Sequence, residues 1–235
     1  MNTIKEKINI QLLLEQKENI LNYLKEYQEF YDPELTKDIL FILKNPEFIG
    51  INGYTPDSCR QILSKFNILH PKYDQYKYLA NRLKELGFLN GNCCEIGAGK
   101  YPQISSLILP VLRENKKNLT IYDPKTIPSI LPDINLIREN FTLNTNIENI
   151  DTLFAHHPCK ATTTIIDKAI QENKNLLIAF CGCNHSNSRI PKWIGDYWCE
   201  DVCIYYREKY GKEIEIETYP NQIEKYPIMI RKRKQ

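Results

Sequence analysis

Apolar residues change their spacing once along this chain, shortly after residue 70. From Ile4 to about Leu69 they recur every three or four positions, as in Ile8, Leu12, Ile20, Leu24, Tyr27 and Tyr31, with Lys and Glu between them. That period predicts amphipathic helices, each with one buried stripe. Asp32-Pro33 supplies a cap and a first-turn proline for a second helix, which runs to about Lys44 and stops at Asn45-Pro46. Thr55-Pro56-Asp57 repeats the start signal for a third. Tyr73 to Leu86 reads as a further helix closed by Gly87, since a residue without a Cβ suits the left-handed turn that ends a helix.

Beyond Gly87 the apolar runs shorten to strand length: Asn92 to Ile96, Leu119 to Tyr122, Asn135 to Arg138, Thr152 to Ala155 and Leu176 to Phe180. Segments able to form helices separate them, and parallel neighbours need such crossovers. Asp196 to Tyr210 predicts one more helix, stopped at Gly211. Glu213-Ile214-Glu215-Ile216-Glu217 then alternates strictly, as a half-exposed strand does, and Pro227 to Arg231 can pair back with it. The expected fold is α/β: a doubly wound, mainly parallel seven-stranded sheet with an N-terminal helical region. The expected boundaries are 1–70 for the helical region and 71–235 for the sheet domain.

Composition narrows the classes. The 31 Lys and Arg residues nearly balance 29 Asp and Glu, so charge alone does not announce a nucleic-acid binder. No apolar run approaches the roughly 20 residues a membrane span requires, and no membrane partner is expected. Met1-Asn2-Thr3-Ile4-Lys5-Glu6-Lys7 leads into a helical pattern rather than an apolar signal region. The eight cysteines are therefore expected as thiols in a reducing cytoplasm.

The most informative segment is Cys93-Cys94-Glu95-Ile96-Gly97-Ala98-Gly99-Lys100, a strand-like run that closes in an acid and a glycine-spaced turn. Backbone at Gly97 and Gly99 can adopt positive φ and pass close under a ligand. About 25 residues on, one β-α-β unit away, the second run ends in Asp123, whose carboxylate can accept both hydrogens of a ribose diol. Glycine loop and acid together point to a cofactor that contains a nucleoside.

From about Tyr73 onward the chain resembles the class I S-adenosylmethionine-dependent methyltransferases, a Rossmann-like family. Glu95-Ile96-Gly97-Ala98-Gly99 looks like that family's first motif, and Asp123 is similar to its ribose-binding acid. The resemblance implies S-adenosyl-L-methionine as cofactor, with Glu95, Gly97, Ala98, Gly99 and Asp123 around it and Asn140 and Phe141 at the adenine, Asn140 standing where the family usually has Asp. His157-Pro158-Cys159-Lys160-Ala161-Thr162 and Cys181-Gly182-Cys183-Asn184-His185 resemble the His-x-Cys-Gly-Ala and Cys-Cys-His-His stretches of the tRNA ribose 2′-O-methyltransferase family. Lys160, Gly182 and Asn184 depart from those motifs, and that family's zinc fingers are replaced here by helices. What this implies is an RNA acceptor, at a tRNA ribose 2′-hydroxyl.

Both stretches follow predicted strands, the fourth and the fifth, so they are expected at the same sheet edge as the glycine loop. Transfer to a hydroxyl needs the acceptor aligned and its proton removed. His157 is the first candidate base and His185 the second; Lys160 is placed to contact a phosphate or orient the acceptor. Cys159 is the candidate for a thiolate nucleophile, as in cytosine C5-methyltransferases, or else a buried thiol. Cys181, Cys183 and His185, with Cys159, Cys199 and Cys203, raise a zinc site, but Cys-x-Cys spacing is unlike the usual knuckle, and no metal is expected. The basic tail, with Lys72, Lys77, Arg82 and Lys84, is a candidate phosphate track, though interleaved acids make a solvated face the default reading, and the N-terminal tyrosines are read as helical core. The alternatives are a small-molecule acceptor and a methyltransferase-like binding module without catalysis.

Overall fold

The computed structural model describes residues 10–26, 33–46, 62–63, 66, 68, 70–99, 102–126, 131, 134–182, 198–220 and 226–234. Contacts divide the chain into two compact units, Met1–Tyr76 and Lys77–Gln235. The division falls inside a helix, α4 (His70–Glu85).

In the first unit the helical period is realised as α1 (Ile10–Glu15), α2 (Lys17–Glu26) and α3 (Pro33–Lys44). Between α1 and α2 the chain turns at Gln16, yet the hydrogen-bond ladder runs through it: Gln16 N–H donates to Leu12 O at 2.8 Å and Ile20 N–H to Gln16 O at 2.9 Å. Ile20 and Leu24 are buried as their spacing predicts, together with Leu13, Ile39 and Leu43, while Leu12, expected on the same stripe, is half-buried. Tyr23 packs edge-on to Phe66 with centroids 5.8 Å apart, so this tyrosine serves the core. The start signal at Thr55-Pro56-Asp57 lies outside the described residues.

In the second unit α4 ends as its glycine predicts. Gly87 has φ 71° and donates its N–H to Lys84 O at 3.0 Å. The strands are β1 (Cys93–Ile96), β2 (Leu119–Tyr122), β3 (Asn135–Ile137), β4 (Thr152–His156), β5 (Asn175–Ala179), β6 (Ile214–Glu217) and β7 (Ile228–Arg231). They form one seven-stranded sheet in the order β3-β2-β1-β4-β5-β7-β6, with β7 antiparallel to both neighbours and the other pairings parallel. The expected doubly wound α/β sheet with one antiparallel member is thus present. β1 is buried along its whole length, because a central parallel strand is covered on both faces.

Helices α5 (Gln103–Glu114), α6 (Thr162–Gln171) and α7 (Trp198–Tyr210) connect the strands. Alternation assigns the faces. Cys94, Ile96, Leu153, Ala155, Leu176, Ile178 and Met229 share a cluster with Ile165 and Ile166 of α6 and Val202 and Tyr206 of α7. Glu95, one residue out of phase, points instead to α5, where it meets Ser105. Full burial of each Leu or Ile in such a core contributes about 1.5–3 kcal/mol, and truncating one, such as Ile178, to Ala would cost about 2–5 kcal/mol.

The basic tail does not extend from the sheet as a phosphate track. Arg231 is buried and donates to Lys174 O at 2.6 Å and Asn173 Oδ1 at 3.0 Å. Arg233 pairs with Asp151 at 2.6 Å and Lys234 with Glu213 at 2.7 Å. These partners sit at the amino ends of the parallel strands, the edge away from the glycine loop, and acids pair with the tail's cations. Arg82 is likewise bound by Glu217, with Nε to Oε2 at 2.9 Å. Among the described residues no helix is long and apolar enough to cross a membrane.

Candidate functional site

Strand order reverses between β1 and β4, so the loops leaving their carboxyl ends splay apart around a crevice. The glycine loop enters it in left-handed conformation, with φ 72° at Gly97 and 69° at Gly99. At Gly97 the backbone alone demands glycine: a Cβ there would meet Pro158 Cα only at 3.5 Å, an ordinary contact. Gly97 N–H donates to Tyr122 O at 3.0 Å, which docks the loop on the end of β2. Ala98, half-buried, lies between the two glycines.

Asp123 is built into the same loop. Its Oδ2 accepts from Gly99 N–H at 2.8 Å and its Oδ1 from Lys125 N–H at 2.6 Å, in a residue only 7% exposed. Thr126, fully buried, completes the brace by donating its hydroxyl to Gly99 O at 2.7 Å. Sequence reading missed Thr126, since a loop hydroxyl carries no mark of its partner until packing brings it to Gly99.

Glu95 faces the other way. Its Oε2 accepts from both the N–H of Ser105, at 3.1 Å, and the Ser105 hydroxyl, holding the first turn of α5 against β1. Burial pushes its carboxyl up to about 7; the Ser105 bonds oppose that rise and the nearby Asp123 charge adds to it. Its contacts brace α5 against β1. Ser105 was not singled out, since only the packing of α5 on β1 brings it there.

Past β4 the chain is strained. His157 and Cys159 have φ 53° and 48°, a conformation uncommon for side chains with a Cβ. His157 N–H is tied to Ala179 O at 2.9 Å, its Nε2 is buried, and its ring stacks on His156 with centroids 3.8 Å apart. Cys159 Sγ lies 3.6 Å from Cys181 Sγ, so the ends of β4 and β5 meet as their motifs predict. Lys160 is exposed in the short 3-10 turn Cys159–Ala161. Pro158 lies on the side toward which a Gly97 Cβ would point, its Cα 3.5 Å from that position, so this loop and the glycine loop are neighbours. Gly182 is forced by crowding, because a Cβ there would fall 1.8 Å from the Tyr226 hydroxyl oxygen.

Cys183 and His185 lie outside the described residues. Among those described, no group of three or more His, Cys, Asp or Glu residues is arranged to hold a metal. Cys199 and Cys203 are buried in the core beside α6, and burial pushes both thiols up, Cys199 to about 11. Cys93 and Cys94 are equally buried in β1, with Cys93 pushed up to about 12. Asn140 is exposed beyond β3, whereas Phe141 is 8% exposed and packs edge-on to Tyr122 at 5.6 Å.

No family model matches the chain, and no curated protein matches its sequence. Among solved structures it is similar to a magnesium protoporphyrin IX methyltransferase from Synechocystis PCC 6803 with bound SAM, at 11% identity over 68% of this chain and 80% of that one, with a TM-score of 0.43. An SAH-bound methyltransferase from Podospora anserina is similar at 12% identity over 94% and 96%, with a TM-score of 0.45. A 23S rRNA methyltransferase is similar at 16% identity over 67% and 68%, with a TM-score of 0.39.

Proposed function

We propose that this chain is an S-adenosylmethionine-dependent methyltransferase whose acceptor is RNA, at a hydroxyl such as a tRNA ribose 2′-OH. The observation that carries the cofactor reading is the pair of left-handed glycines, Gly97 and Gly99, latched to Asp123 beside the reversal point of the sheet. The residues fit the group. Bare backbone at Gly97 and Gly99 gives an adenosyl moiety a close approach, with Ala98 between them. A carboxylate offers about four lone-pair sites; the N–H groups of Gly99 and Lys125 take two at Asp123, leaving two for a ribose diol. Asn140 and Phe141 would border the adenine. Glu95 holds the loop by fixing α5 beneath it.

When bound, S-adenosylmethionine supplies an electrophilic methyl group on a sulfonium. The protein's part is to orient the acceptor and take its proton. His157 is one residue from Pro158, which neighbours the glycine loop at Gly97. His157 would take up the acceptor proton as it leaves. Lys160 would meet the acceptor's phosphate, and Cys159 would line the acceptor side with His185. The buried, unbridged thiols Cys93, Cys94, Cys199 and Cys203 suit a reducing cytoplasm.

Calorimetric titration with S-adenosylmethionine tests the cofactor reading: wild type should bind and Asp123→Ala should bind weakly. No heat from wild type would leave only a non-catalytic binding module. Mass spectrometry of nucleosides from tRNA incubated with the protein and cofactor tests the acceptor. His157→Ala should keep cofactor affinity and lose turnover; surviving turnover would remove the base assignment.

A further inference from the structure

Helices α6 and α7 leave between them a cavity of about 470 Å³, of the size that holds organic ligands. It starts at Lys160, three residues past His157, and follows α6 to Gln171, roughly 16 Å at the helical rise. Lys160 and Lys209 bring two cations to it, Thr163 and Thr164 add hydroxyls from the first turn of α6, and Tyr205 and Tyr210 present aromatic rings. The Lys209 ammonium lies 5.6 Å from the Tyr205 ring centroid and 5.2 Å from that of Tyr210, so charge and π-surface are side by side. Asp167 is the one acid among the lining residues. It accepts from the Tyr206 hydroxyl at 2.7 Å at the wall of the cavity, leaving the lysines in excess.

A simple anion would use the lysines and threonines and leave the rings unused; an apolar ligand would waste the cations. Lysines beside tyrosine rings, along a groove longer than one nucleotide, suit single-stranded nucleic acid: phosphates on ammonium groups, bases on ring faces. The other strongly basic feature, the Arg231 to Lys234 tail, is taken up by Asp151, Glu213 and the Lys174 carbonyl. We propose that this cavity holds the single-stranded RNA segment flanking the nucleotide presented at His157. Its orientation toward His157 rests on the methyltransferase reading; its binding chemistry does not.

The test uses the full chain and a fluorescein-labelled oligouridylate, read by anisotropy across a salt series without S-adenosylmethionine. Wild type should bind with steep salt dependence, and Lys209→Ala should lower the salt slope by about 0.7, the share of one phosphate contact on a single strand. Tyr210→Ala should weaken binding about 5- to 150-fold with the slope unchanged, as loss of one stacked base does. Lys117→Ala, which removes the same charge at the amino end of β2, should match wild type. Lys209 is exposed, so its variant keeps the test sound should Tyr210→Ala fail to fold. Equal effects of Lys209→Ala and Lys117→Ala, no oligouridylate binding, or displacement by uridine monophosphate at the oligouridylate's own affinity would each overturn the proposal. Calorimetry with S-adenosylmethionine on the same proteins is a separate arm: silence there would sink the methyltransferase reading while the anisotropy still decides the cavity.

Discussion

Replacing Glu95 by Gln isolates the electrostatic cost of the brace under the glycine loop. Glu95 is 3% exposed, and burial pushes its carboxyl up to about 7 against the opposing Ser105 bonds. Unfolded, the same group titrates near its ordinary value of 4.5. Between those values the folded chain keeps a proton that the unfolded chain has released. Stability from this group is therefore full below pH 4.5, falls as pH rises toward 7, and levels off above it. At ~1.36 kcal/mol per unit the interval is worth about 3 kcal/mol. Glu95→Gln is neutral throughout and keeps an oxygen for the Ser105 donors, so it has no such slope. For a chain of this length about 3 kcal/mol corresponds to roughly 6–12 °C in Tm. Thermal unfolding of both proteins from pH 4.5 to 8 should show wild type losing about that much relative to the variant. A constant difference, or wild type gaining as pH rises, would refute the reasoning. It would mean that the Ser105 donors outweigh burial and hold the carboxylate ionised.

Other positions give independent checks. Gly97→Ala meets only ordinary contact with Pro158, so its penalty is the left-handed backbone, about 1–2 kcal/mol by denaturant unfolding; an unchanged midpoint would contradict φ 72° at this residue. Gly182→Ala collides with the Tyr226 hydroxyl group and should cost about 1–3 kcal/mol, with recovery in the double variant carrying Tyr226→Ala; additive losses would show that the two do not share that space. Arg233→Ala removes a half-exposed pair with Asp151 and should cost only about 0.2–1 kcal/mol, less at high salt, and a larger loss would mark the tail as more than a surface clasp.

What was readable in the chain follows from the range of the interactions involved. β1, β2, β4 and β5 could be placed within a residue because interior parallel strands must be apolar on both faces, and such runs stand out between amphipathic helices. The misplaced ends are residues used for something other than the ladder of their own strand. Asn92, expected in β1, instead accepts from the N–H groups of both Asp151 and Thr152 and takes Asp151 Oδ2 on its own N–H. Gly97, Gly99 and Asp123 were legible because a left-handed turn and an acid at the next strand end leave marks in residue type. Ser105 and Thr126 were not, since a hydroxyl on a helix or in a loop has no type-level signature until packing brings it to Glu95 or Gly99. The tail shows the opposite case: its four consecutive cations left a phosphate track and a solvated face both open, and the choice depends on Asp151, Asn173 and Glu213, which lie in other loops and take up three of them. The α6–α7 cavity lies furthest from sequence reading, because Lys160 and Lys209 are 49 positions apart and come to line one cavity only when both helices cover the same face of the sheet. Arg233 and Lys234 are spent on Asp151 and Glu213, whereas Lys160 and Lys209 line one groove, so it is charge counted after pairing that selects a polyanion site.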